Sequence, residues 1–333
     1  MNKGVSVIIC CYNSASRLAE TVSHLACQRV ASDLSWEVIL IDNGSTDNTI
    51  SVFQELVKDT PIDNISRVIN ENRQGLMYAR EKGIENSKYS YILFCDDDNW
   101  LCPSYIQTVF IFFENHPRAG VIGGKGVPVF ETDEMPFWFK KMERSYACGT
   151  AQAGTGQVDV LTDFVVGAGM SVRKECLDIL QKADYVSVLK GRQGDKLTSG
   201  DDLELMHVIS MTGYEIWSSE EMLYHHYIPK ERLSESYLLK LVDGCSRANV
   251  SLDAYKFVLR QYKVDKAFLW QRIYIRMSTN MFFRNTSIKD IFSQAERVSH
   301  KSYLDELARN GCAFKSKIRS IYALQNRLNN IRV

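Results

Sequence analysis

An excess of charge of either sign is absent: 40 Lys and Arg balance 40 Asp and Glu over 333 residues. Long hydrophobic runs are absent too. No stretch approaches about 18 uncharged apolar residues, the length that would span a bilayer. The nearest candidate, Phe268 to Phe283, is broken by Arg272 and Arg276, so no membrane-crossing helix is expected. Paired cysteines are missing. The nine cysteines are an odd number, none forms a C-x-x-C pair, and Cys10, Cys11 and Cys95 sit in apolar strand-like runs. Buried thiols in a reducing compartment fit this better than a disulfide framework. No signal peptide is visible, because Met1-Asn2-Lys3-Gly4 runs straight into a strand pattern, and a cytoplasmic location is the expectation. No internal repeat or low-complexity segment stands out. With 45% hydrophobic and 24% charged residues, the composition is that of an ordinary globular chain. Its length suits one large domain or one domain with an appendage.

The charge balance conceals an asymmetry. Residues 236–333 carry 18 Lys and Arg against 7 Asp and Glu, so the first part is acidic by a similar amount. A basic tail of this kind suits an anionic surface and does not call for nucleic acid.

The first hundred residues alternate between two periods. Val5 to Cys10, Trp36 to Ile41, Val68-Ile69 and Tyr89 to Cys95 read as strands. Between them, Ser14 to Gln28, Ser45 to Leu56 and Gly75 to Asn86 read as helices, the second with Ser45 or Thr46 as N-cap. Strand and helix alternating at this spacing predict an α/β fold with a parallel sheet covered on both faces. Ligands in such sheets collect beyond the carboxyl ends of the strands. Three strands end there in polar residues: Tyr12-Asn13, Asp42-Asn43-Gly44-Ser45 and Asp96-Asp97-Asp98-Asn99. Residues 120–230 are more irregular, with an apolar strand expected to end in Val165-Val166-Gly167-Ala168-Gly169. Gly200-Asp201-Asp202 opens a helix toward Met211, and the chain reads as helical after about residue 235.

Three consecutive carboxylates, Asp96 to Asp98, repel one another unless a cation neutralises them. Mg2+ or Mn2+ takes carboxylate oxygens and shares its other sites with substrate phosphates; a solvated acidic turn is the plainer reading. Asp42 sits at a strand end, where a carboxylate suits the imino N–H of a uracil-type base. Asp201 and Asp202 are read as helix-capping acids or as a general base and its neighbour. Trp138, in Phe137-Trp138-Phe139, is read either as core or as a stacking platform.

These segments together resemble the family 2 glycosyltransferases. The resemblance rests on Val7 to Asn13, Asp42-Asn43-Gly44-Ser45-Thr46-Asp47, Asn72-x-x-Gly75-x-x-x-Ala79-Arg80, Asp96-Asp97-Asp98-Asn99 and Gly200 to Leu205, in order, across about residues 1–230. It implies a GT-A, Rossmann-like, mostly parallel sheet flanked by helices. A catalytic domain would span 1–235, with its nucleotide-sugar half at about 1–100 and its acceptor half at about 101–235. A basic helical region, 236–333, would follow. The resemblance further implies a nucleoside-diphosphate-sugar donor of UDP or dTDP type, Mn2+ or Mg2+ as cofactor, and inversion at the anomeric carbon. Asp202 would be the catalytic base, and Asp201 stands where the family often has Glu. Asp42 would contact the base, flanked by Tyr12, Asn13 and the backbone near Cys10. Asp97 would reach the ribose or sugar beside Asp96, while Gly75, Arg80 and Gly169 would line the donor pocket. Asp98 would bind the metal, with His226 (or its neighbour His225) completing the site. Asp201 and Trp138 would face the acceptor, a saccharide or lipid-linked saccharide.

In the tail, Phe314, Ile318, Ile321, Leu324, Leu328 and Ile331 recur at three- and four-residue intervals, accompanied by Lys315, Lys317, Arg319, Arg327 and Arg332. A basic amphipathic helix of this kind either lies on the cytoplasmic face of an anionic membrane or packs on the domain. A nucleotidyltransferase or phosphatase needs a Gly-rich loop with Lys or a D-x-D-x-T nucleophile, and neither is present. The remaining alternative is a non-catalytic nucleotide- or carbohydrate-binding scaffold.

Overall fold

The computed structural model describes residues 2–152, 154–189, 191, 199–262, 271, 273–275, 278 and 290–331. Four parallel strands form its first half: β1 (Asn2–Cys11), β2 (Trp36–Asp42), β3 (Ser66–Asn70) and β4 (Tyr89–Asp96). Three helices connect them: α1 (Leu18–Ala26), α2 (Thr49–Val57) and α3 (Leu76–Asn86). The second half adds β5 (Asn99–Leu101), α4 (Tyr105–Asn115), β6 (Ala119–Phe130), α5 (Phe139–Met142), β7 (Gly156–Gln157), β8 (Ser171–Arg173), α6 (Lys174–Lys182), α7 (Asp201–Met211) and β9 (Glu215–Ile228). Two long helices complete the described chain, α8 (Glu235–Leu259) and α9 (Ile291–Ile331). The sheet order is β3-β2-β1-β4-β8-β6-β9-β5, with β7 paired to β9.

Strand periodicity sorts the core. Val5, Val7, Ile9 and Cys11 of β1 face one layer with Leu18, Val22 and Phe53 of α1 and α2. Ile8 of β1, Ile39 and Ile41 of β2, and Ile92 and Phe94 of β4 face the opposite layer, with Ala79 of α3 and Met206 of α7. Burial on both faces explains why these strands read as continuous apolar runs.

Register sets the ligand rim. Cys11 pairs with Asp42, Asp42 with Asn70, and Cys10 with Asp96. The polar residues after β1, β2 and β4 therefore emerge side by side, as the topology requires.

Two local expectations need correction. Helix α2 begins at Thr49, and neither Ser45 nor Thr46 caps it. Ser45 Oγ instead accepts the Asn13 N–H at 3.0 Å, and Asn13 Oδ1 accepts the Thr46 N–H at 2.8 Å. These side chains tie two strand ends together, and Asn13 is a residue that tolerates the left-handed φ of 51° required there. The segment Val165 to Gly169 is not a strand; the strand is β8, two residues later. Gly169 turns with φ +66°, and an added Cβ would lie 2.5 Å from the Tyr105 hydroxyl.

Of the two readings of the tail, the structure shows the packed one. The apolar stripe of α9 is not free to enter a bilayer. Phe314, Ile318, Ile321, Leu324 and Leu328 are buried in the same core as α3, α6, α7 and α8. Arg327 donates to the Ala183 carbonyl at 2.8 Å and Gln325 to the Met211 carbonyl at 2.9 Å. Lys315 and Arg319 remain exposed; Arg332 lies outside the described residues. Among the described residues no helix is long and apolar enough to cross a membrane. The Phe268 to Phe283 stretch lies mostly outside them.

Candidate active site

A cleft of about 560 Å3 opens at this rim between the sheet and α8. Cys10, Tyr12, Gly75, Arg80, Asp96, Asp97, Asp98, Asp201, Asp202 and His226 all line it. Five segments distant in sequence thus supply one cavity.

The acidic turn is built by β4 running out and β5 starting. Asn99, fully buried, accepts the Asp96 N–H at 3.2 Å and donates to Asp98 Oδ1 at 3.3 Å. The Asp97 and Asp98 carboxylates meet different partners. Asp97 is held by Arg17 at 2.5 Å, and its backbone carbonyl accepts the Thr21 hydroxyl. Burial and the charge of Asp98 push the Asp97 carboxyl up, while Arg17 opposes them. Asp98 faces His226 Nε2 at 3.5 Å and Arg232 Nη1 at 3.3 Å. Burial disfavours the charged imidazole, but the Asp98 carboxylate outweighs it and lifts His226 to about 10.

On the opposite wall, α7 starts at Gly200 and delivers Asp201 and Asp202 in its first turn. Asp201 forms a buried ion pair with Arg80 at 2.7 Å, and Arg80 also lies over the Phe94 ring at 5.0 Å. Arg80 is therefore neither on the surface nor free for a phosphate. Asp202 Oδ2 accepts the Gly167 N–H at 2.9 Å and Oδ1 accepts the Leu203 N–H at 2.9 Å. Burial, then the neighbouring Asp201 charge, raises the Asp202 carboxyl to about 6, against the pull of Arg80. Glu204, one turn on, is fully buried. It accepts hydrogen bonds from Ser187, Val188, Leu189 and Tyr255, locking α7 to α8 and to the 187–189 segment.

Other expected residues lie elsewhere. Asp42 is at the rim but buried behind Asn43, accepting the Ser45 N–H at 3.3 Å. Its Oδ1 is buried with no partner in the protein. Asn13 and Gly169 serve the loops described above and do not line the cleft; Gly167 takes the position expected of Gly169. Trp138 is 2% exposed, packed among Phe139, Tyr146 and Leu238. It shows no face to an acceptor and serves as core, not as a stacking platform. His225 lies in β9 opposite Trp100, turned from the cleft wall that His226 forms. Cys10 lines the cleft, but burial pushes its thiol up to about 12, so it is no nucleophile at neutral pH.

Sequence reasoning missed Asn43, Arg17, Arg144 and Arg232. Asn43 donates to the Glu71 and Arg73 carbonyls and accepts the Gly75 N–H at 2.7 Å, fixing the loop that starts α3. An Asn-Gly dipeptide marks a tight turn and does not by itself point to this bracing role. The arginines pair with acids many residues away, and no local pattern marks them.

The donor set decides how a cation would fit. Among the described residues no group of three or more His, Cys, Asp or Glu side chains converges on one point. Asp98 offers one carboxylate, and His226 offers an imidazole once it gives up the proton that Asp98 stabilises. That suits a Mg2+ or Mn2+ ion completing its shell with substrate phosphate and water, rather than an ion caged by protein.

Comparison with known proteins agrees with this geometry. Residues 6–172 match the model for glycosyl transferase family 2. A glucosyl-dolichyl phosphate glucuronosyltransferase of Haloferax volcanii is 22% identical over 71% of this chain and 72% of its own length. Staphylococcus aureus TarS 1-349 in complex with UDP-GlcNAc superposes over 92% of both chains, with a TM-score of 0.50 at 15% identity. The mannosyltransferase PcManGT of Pyrobaculum calidifontis, in complex with GDP-Man and Mn2+, superposes over 98% of this chain and 85% of its own. Its TM-score is 0.52 at 16% identity. The curled, mostly parallel sheet with its flanking helices is the GT-A fold. By its matched sequence, this chain belongs to glycosyl transferase family 2.

Proposed function

We propose that this chain is an inverting, metal-assisted glycosyltransferase that moves a sugar from a nucleoside diphosphate to an acceptor hydroxyl. One observation carries the reading: Asp98 and Asp202, on opposite walls, open onto the same cavity. Asp202 acts as general base. Lifted to about 6, it is ionised at neutral pH yet more basic than an ordinary aspartate. It takes the proton of the acceptor hydroxyl as that oxygen attacks the anomeric carbon, and the bond to the diphosphate breaks. A single displacement inverts the centre. The Asp201–Arg80 pair holds the first turn of α7 in place for this step. A divalent cation on Asp98 and His226 would supply positive charge at the leaving diphosphate.

The Oδ1 of Asp42 has no partner in the protein and is the acceptor assigned to the imino N–H of a uracil- or thymine-type base; it is buried at the rim beside Asn43, so a base would have to open that corner of the cleft to reach it. Tyr12, 48% exposed at the cleft, offers a ring to stack on the base. Asp96 and Asp97 lie where ribose and sugar hydroxyls would pass. The acceptor belongs to a surface glycan or polysaccharide, free or lipid-linked, as the dolichyl-phosphate relative suggests. We place the catalytic unit at 1–235 and a helical extension at 236–333. Contact with an anionic membrane would rest on exposed charges such as Lys315 and Arg319, since the apolar face of α9 is occupied.

The test is transfer from UDP-, dTDP- and GDP-sugars with Mn2+ or Mg2+, reading the new linkage by proton NMR. Inverted anomeric configuration is expected. Retention, or no turnover of any donor on a broad acceptor panel, would overturn the proposal.

A further inference from the structure

Among the described residues, four arginines line the cleft: Arg17, Arg80, Arg144 and Arg232. Three are locked. Arg17 meets Asp97 at 2.5 Å and Arg80 meets Asp201 at 2.7 Å. Arg144 meets Asp163 at 2.7 Å, donates to the Phe164 carbonyl at 2.6 Å and stacks over the Phe164 ring at 3.9 Å. Each would have to abandon a short, partly desolvated ion pair to serve a ligand, which is costly.

Arg232 differs. Among the described residues its guanidinium pairs with Asp98 alone, Nη1 to Oδ2, and at 3.3 Å this ion pair is the longest of the four. That carboxylate is shared with His226. The Arg232 backbone is fixed, however. Its N–H donates to the Pro229 carbonyl at 2.9 Å, and its carbonyl accepts the Tyr146 hydroxyl at 3.0 Å. The result is a loosely held guanidinium on a rigid mount, 22% exposed, beside the acid that would take the donor's cation. With a cation bound at Asp98, Arg232 would lose the attraction that holds it there, and the donor's phosphates would offer it a better partner. Guanidinium pairs with phosphate bidentately, which a single 3.3 Å contact to carboxylate does not match.

Resting on the glycosyltransferase reading above, we propose that Arg232 exchanges Asp98 for the donor diphosphate. It orients the phosphate distal to the nucleoside and stabilises the charge left there when the bond to the anomeric carbon breaks. The electron pair of that bond goes to the leaving phosphate oxygen, and the acceptor's proton goes to Asp202. In the donor-free protein, Arg232 is parked on the metal-binding acid.

The experiment compares wild type, Arg232→Gln and Arg232→Lys by titration calorimetry with UDP, dTDP and GDP, and with the matching monophosphates, in Mn2+. A diphosphate that binds wild type should bind Arg232→Gln about 10- to 100-fold more weakly, as expected for a lost charge-assisted hydrogen bond. Its monophosphate should change less than about twofold, because the missing contact is to the distal phosphate. Arg232→Lys, which keeps the charge without the fork, should fall between and guards against a misfolded Gln variant. Equal diphosphate affinity in wild type and both variants overturns the assignment and leaves the glycosyltransferase reading intact. Parallel losses for mono- and diphosphate also overturn it, since they mark a merely structural role. A wild type that binds none of the nucleotides overturns both.

Discussion

Replacing Asp202 by Asn should make the enzyme more stable at neutral pH and nearly inactive. The free carboxyl value of 3.8 rises to about 6 in the folded chain. A group with a raised folded value contributes stability below about 3.8, and that contribution is lost as pH rises through about 6. At pH 7.5 the ionised Asp202 therefore costs about 3 kcal/mol relative to an unperturbed carboxylate, at about 1.4 kcal/mol per unit. Asn removes that charge. It also presents one acceptor oxygen where the carboxylate served two N–H groups, Gly167 and Leu203. One lost hydrogen bond costs about 1 kcal/mol. The expected net gain is about 2 kcal/mol at pH 7.5, shrinking at pH 4.5, where the wild-type carboxyl is protonated. Urea unfolding at both pH values reads the gain, and a transfer assay on the same preparations reads activity. Transfer should fall by about 10²-fold or more, the contribution of a positioned base. A variant less stable than wild type at pH 7.5, or one that transfers normally, would refute the assignment of strain and of function to this carboxylate.

The other consequences concern buried groups around it. Arg80→Gln strands the buried Asp201 carboxylate and should cost about 3–5 kcal/mol in urea unfolding. Because Arg80 pulls Asp202 down, the acid limb of the kcat/KM profile should move to higher pH in that variant; an unmoved limb would contradict the coupling. His207, 2% exposed, is held by burial near 4 instead of 6.5, with Nδ1 2.6 Å from the Leu203 carbonyl. Below pH 6.5 the unfolded chain takes up a proton that the folded chain refuses. Stability should thus fall by up to about 3 kcal/mol between pH 6.5 and 4, with a flatter slope in His207→Gln. Equal slopes would remove His207 from the acid response.

The rim was legible because its signals are local. Apolar runs of strand length ending in Asp42 and Asp96 carry both the fold and the placement of their acids, and parallel register does the rest. Asp201 and Asp202 were legible because a Gly before an acidic pair marks a helix start. The Val165 to Gly169 misreading has a local cause as well: two buried valines read as strand, but Gly167 donates its N–H to Asp202 and not to a sheet neighbour. Trp138 and the α9 stripe carried two readings each, since periodicity reports an apolar face and not what covers it. The cationic partners were illegible. Arg17 to Asp97 and Arg232 to Asp98 span 80 and 134 residues, and only the folded sheet brings them together. The run of three acids signalled a cation, and the family resemblance brought His226 to Asp98; nothing in the sequence indicated that two arginines already meet these acids.

Calorimetric titration of nucleoside diphosphate, with and without Mn2+, into wild type and Asp98→Asn tests the shared cleft most directly. The account predicts tight binding only where the metal and the Asp98 carboxylate are both present, with Mn2+ alone binding weakly to the nucleotide-free protein. Equal nucleotide affinity in all four combinations would contradict it, because the acids of this rim would then have no common ligand.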